Sequence, residues 1–176
     1  MNLEYKQLLA QDFHPQSRVW VYQSSRQFTL SEALNLEEQI NVFTEQWQSH
    51  GADVKAVGYL FFGQFLILMA DETQASVSGC STDSSVRFVK QLENIYQVSF
   101  FDRTNIAFVV KDKVQVLPLN QVQYAANQQF ITPDTLYFNN MVLTKQQLEN
   151  DWLIPASQNW LAQKIKWPEH QSIIAD

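Results

Sequence analysis

Three carboxylates, one thiol, four hydroxyls and a guanidinium fall close together in this chain: Asp71, Glu72 and Asp83; Cys80; Ser81, Thr82, Ser84 and Ser85; and Arg87. Each group suggests a chemistry. A carboxylate such as Asp71 can trade protons, and a thiolate at Cys80 can attack an electrophile. Hydroxyls and a guanidinium at the start of a helix can hold an anion, because the free N–H groups there carry partial positive charge. The same field lowers the pKa of a cysteine whose sulfur faces it. Plainer roles compete with these. One of Ser81, Asp83 or Ser84 can simply cap the helix. Asp83 and Arg87, four apart with the acid first, suit an intrahelical ion pair. A lone cysteine is commonly a small buried hydrophobe.

The elements that position these residues are legible around them. The run FLILMADE is a strand ending on two carboxylates, TQASVSGCSTDSS a loop of small polar residues, and VRFVKQLENIY an amphipathic helix with Val86, Val89, Leu92 and Tyr96 on one stripe. Upstream, residues 2–11 suit a short helix, and RVWVYQS from Arg18 suits a strand. Thr29 and Glu32 stand at capping-box spacing, and Ala33, Leu36, Ile40, Phe43 and Trp47 make a buried stripe that Gly51 can end. Gly63-Gln64 joins two strands in a hairpin, and Lys111-Asp112-Lys113 joins another pair, Asn105 to Val110 and Val114 to Leu117.

That order predicts an α+β fold with a ferredoxin-like βαββαβ core over residues 18–118 and an appended strand. An N-terminal extension covers 1–17, an α/β subdomain packed on the core covers 119–165, and a tail covers 166–176. The first and third strands are read as parallel neighbours ending at one edge, where both long helices begin. Arg26 would then join Asp71, Ser81, Asp83, Ser84 and Arg87 in one site. In the rival reading Cys80 is a nucleophile with Asp71 in acid/base work. A third reading uses the aromatics of the C-terminal third for peptide or protein contacts.

The net charge of −6 and the pI near 5.0 speak against nucleic acid or an anionic membrane as partner. No apolar run is long enough to span a bilayer, and the N-terminal residues lack a basic segment followed by an apolar block, so a cytoplasmic address is expected. The single cysteine suits a reducing compartment. No cofactor or metal is predicted. Three scattered histidines show no zinc-ligand spacing. FLILMADE looks like the strand of P-loop ATPases that ends on a metal-binding acid, yet no Gly-Lys pair exists to cradle phosphates, which argues against ATP hydrolysis. The expected ligand is a small anion or a protein partner.

The segments SRVWVYQSSR, SGCSTDSSVRFVKQLE, FFDRTN and TPDTLYFNN, spread over about residues 18–160, resemble a set of soluble Bacteroidetes proteins often labelled ABC transporter ATPase. The resemblance implies a lineage and a cytoplasmic address, and no mechanism. Within the C-terminal third, ITPDTLYF followed by the tryptophan of PASQNW resembles the bacterial variant of the GYF-type adaptor module, which implies peptide binding.

Overall fold

A computed structural model describes residues 1–49, 52–72 and 79–168. The expected cap Gly51, the histidines His50 and His170, and the side chains of Cys80 and Ser81 lie outside the described residues. The chain mixes helices with antiparallel sheets, as an α+β class requires. It divides into two compact units. The first comprises Asn2–Asp102 and Asn139–Trp152; the second comprises Met1, Arg103–Phe138 and Leu153–Asp176.

In the first unit a 3₁₀ turn, Tyr5–Leu8, leads to strand β1 (Arg18–Gln23) and helix α1 (Leu30–Glu45). Two short strands follow, β2 (Gln48–Ser49) and β3 (Ala52–Asp53), then β4 (Lys55–Phe61), β5 (Phe65–Asp71) and helix α2 (Gly79–Tyr96). The order in the main sheet is β1-β5-β4. Its centre is the apolar run: Phe65 through Ala70 are each 0 % exposed. An unbroken apolar strand needs cover on both faces, and it has it. Leu66, Leu68 and Ala70 point to α1 and α2, where they meet Leu36, Ile40, Val89 and Leu92. Phe43 of α1 stacks on Phe88 of α2, with ring centroids 4.2 Å apart. On the opposite face Phe65 meets Trp152 edge-on at 5.3 Å, and Tyr5 meets the same indole at 4.8 Å.

The capping box of α1 forms as its sequence suggests: Thr29 accepts from the Glu32 N–H at 3.3 Å, and Glu32 accepts from the Thr29 N–H at 2.8 Å. Phe62 and Gly63, at φ 56° and 61°, turn the chain from β4 into β5.

Two readings of this core are corrected: the parallel pairing of its first and third strands, and the place of its fourth strand. β1 and β5 are antiparallel, with Gln23 opposite Phe65 and Arg18 opposite Ala70. The physical cause is connectivity. β4 pairs with β5 through a tight hairpin and must oppose it, while the helical crossover returns the chain so that β4 runs along β1. β5, between them, opposes both. The expected fourth strand is also absent from this sheet. It is β6 (Asn105–Val110), and it lies in the second unit. Beside β1 stand instead residues 143–144: the Val19 N–H donates to the Leu143 carbonyl at 2.9 Å, and Arg18 bridges Thr144.

The second unit holds β6, β7 (Lys113–Pro118), helix α3 (Val122–Asn127) and β8 (Leu136–Phe138). The chain then supplies helix α4 (Lys145–Asp151) to the first unit and returns with β9 (Leu153–Pro155) and α5 (Asn159–Ala162). The sheet order is β7-β6-β8-β9. Lys111 and Asp112, both at positive φ, make the turn between β6 and β7. Phe108, Tyr137 and Leu161, each 0 % exposed, centre the core of this unit.

Candidate functional site

The reversal of β1 against β5 separates residues that a shared edge would have joined. Ser24 follows β1 and lies beside Gln64, whose side chain donates to the Ser24 carbonyl at 3.1 Å. Asp71 and Glu72 lie at the other end of β5, where Glu72 stands 3.9 Å from Arg18. The two long helices begin at opposite edges. The Arg26 guanidinium donates to the carbonyl of Tyr96, the last residue of α2, at 2.8 Å. From Ser81 to Tyr96 the helix rises about 22 Å. Arg26 therefore does not share a site with Ser81, Asp83, Ser84 and Arg87.

Arg26 is occupied as well as distant. It forks onto both oxygens of Glu32 at 2.8 and 2.9 Å and lies 5.6 Å from the Phe28 ring centre. This latch ties the start of α1 to the end of α2. The Arg26 hydrogen bonds, with the Thr29 N–H adding to them, hold the Glu32 carboxyl at a pKa of about 2. Because the folded value is depressed, the stabilisation is complete above the ordinary carboxylate value and is lost as pH falls toward about 2. The melting temperature of the native chain should drop over that window by more than that of Glu32→Gln. Equal acid sensitivity of the two in thermal unfolding would remove the latch from the account.

Asp71 is 5 % exposed and also engaged. Its Oδ2 lies 3.5 Å from Lys55 Nζ and accepts the His14 N–H at 3.4 Å. The same ammonium donates to the Asp12 carbonyl at 2.6 Å, meets the Asp12 carboxylate at 3.0 Å and sits 4.6 Å from the Phe13 ring centre. Hydrogen bonding to Asp12 is the main reason the Lys55 pKa is raised. The cluster fastens residues 12–14 to the end of the sheet.

What remains of the sequence-defined site is the beginning of α2. Gly79 opens the helix, so Cys80 and Ser81 belong to its first turn by backbone position. Asp83 and Arg87 are exposed, and the ion pair their spacing suggests does not form within 4.0 Å. Ser85 is buried and donates to the Thr82 carbonyl at 2.8 Å, so it serves the helix.

A second candidate has no counterpart in the sequence reading. A slot of about 240 Å³ runs along the outer edge of β4, lined by Gly58 to Phe61, by Glu37, Ile40 and Asn41 of α1, and by Leu8. Glu37 and Asn41 lie one helical turn apart on the exposed side of α1, a spacing visible in the sequence once β4 is known to be an edge. Gly58 allows the helix to sit this close: an added Cβ would run into Ile40 Cγ2 and come within 3.3 Å of Leu68 Cδ2.

Among the described residues no group of three or more His, Cys, Asp or Glu side chains could hold a metal ion, and no helix is long and apolar enough to cross a membrane. No family model, curated protein or solved structure matches this chain.

Proposed function

We propose that this chain is a binding protein without chemistry of its own, and that a small anion, or an anionic group on a protein partner, docks on the first turns of α2. The observation that carries this reading is Arg87. Its guanidinium is exposed on the third turn of an 18-residue helix and makes no ion pair or hydrogen bond among the described residues. It adds a full positive charge to the partial charge of the helix start, and Ser81, Ser84 and Asp83 flank it in sequence. Arg26 has no part in this smaller site. The reading of Cys80 as a nucleophile rests only on its place in the first turn and ranks second.

Inorganic phosphate, set against chloride at equal ionic strength, is the probe. Phosphate should raise the melting temperature of the native chain by a few degrees, as any ligand selective for the folded state does. Arg87→Ala should abolish that rise while leaving the phosphate-free melting temperature unchanged, since the side chain is exposed and makes no ion pair or hydrogen bond among the described residues. An identical rise in the variant would remove the site.

A further inference from the structure

A sheet edge offers unpaired N–H and C=O groups to any other strand unless something covers it. The two edges of the β1-β5-β4 sheet differ in this respect. At β1, residues 143–144 take up edge groups. β4 has β5 on one side and, among the described residues, no strand on the other.

The open edge forms the base of the slot, between an upper lip from α1 and a lower lip at Leu8. Its volume of about 240 Å³ falls short of the roughly 300–1,000 Å³ that encloses ordinary small molecules. A row of backbone donors and acceptors suits an extended chain better. The lips carry side chains without partners. Glu37 and the Asn41 amide make no ion pair or hydrogen bond among the described residues, and Leu8 is 66 % exposed.

We infer that β4 accepts an extended segment of another protein by strand addition, with a basic side chain of that segment at Glu37 and its backbone at Asn41. Charge selects this occupant over a second copy. Pairing β4 with β4 across a two-fold axis would set two acidic slots together, in a chain whose net charge is already −6. Side chains of the incoming strand alternate, one set rising to Glu37 and the other descending to Leu8. The segment should therefore alternate basic with apolar residues.

The capped pentapeptide Lys-Val-Lys-Val-Lys tests this against the full chain by fluorescence anisotropy; its symmetry makes strand direction immaterial. Saturable binding is expected, and Glu-Val-Glu-Val-Glu should show none. A strand pairs through alternate residues. Of two N-methylated versions, one blocked at the valines and one at the lysines, one should lose binding and the other keep it. Glu37→Lys, at an exposed position, should weaken binding by about tenfold or more without changing the melting temperature. Equal binding of both N-methylated peptides, equal loss of both, or unchanged affinity in Glu37→Lys would overturn strand addition. So would the absence of saturation at millimolar peptide. Elution as a dimer that excludes the peptide would overturn the choice of occupant.

Discussion

Trp152→Ala should lower the unfolding free energy by about 3–5 kcal/mol, the range for removing a fully buried large aromatic. The indole is 0 % exposed and closes the face of the sheet away from α1 and α2. It meets Tyr5 at 4.8 Å, Phe65 at 5.3 Å, Phe62 at 5.9 Å and Phe61 at 6.0 Å, so four rings lose a neighbour at once. Its Nε1 also donates to Asn140 Oδ1 at 3.0 Å, and Asn140 donates in turn to Gln23 Oε1 at 2.9 Å. Trp152→Phe keeps most of the ring contact and gives up that bond, so it should cost less than the alanine variant. Urea unfolding, with the midpoint falling and the slope unchanged, is the measurement. A loss below about 1 kcal/mol for the alanine variant would mean that the aromatic cluster is not part of the core.

Gly58→Ala should destabilise by about 1–3 kcal/mol, from overpacking. The new methyl would meet Ile40, which is 1 % exposed, and beyond it the Leu68 side chain. Leu68 is fully buried, and Ile40 can yield only toward the slot it borders. The strain is specific, so it should be relieved by its cause. In an Ile40→Ala background the cost of Gly58→Ala should shrink, giving a coupling energy between the two positions of about 1 kcal/mol or more. Additive effects would show that the helix does not rest on the strand at this point. The variant also reports on the slot, since a helix pushed off β4 carries Glu37 and Asn41 away from the edge.

Much of the local structure was legible because its causes are local. Thr29 and Glu32 exchange bonds three residues apart, Gly63 turns a hairpin on the spot, and the unbroken apolar run from Phe65 could only be a strand covered twice. The direction of β1 against β5 was misread, although the helical crossover and the Gly63 hairpin that set it are both local. The order β1-β5-β4 that turns them into a direction was not legible, because apolar alternation says which face of a strand is buried and not which strand lies beside it. That one bit decided the site, because it sent Arg26 to the end of α2 and left Arg87 at the beginning. The loan of residues 139–152 to the first unit was hidden for a similar reason. Leu148 and Trp152 read as apolar residues of a short helix, and nothing near them in sequence names the strand they cover.

By itself, then, the sequence determined the α+β class, the start of α1, the central strand and the presence of a polar cluster, since each depends on residues a few positions apart; the stretch from Gly79 to Ser85, read as loop, proved to be the opening of α2. Only the tertiary structure decided which of those polar residues stand together and which are occupied, and that β4 is an open edge roofed by Glu37 and Asn41. Those are properties of strand pairing across long separations, where hydrogen-bonded backbone looks the same whatever side chains it bears.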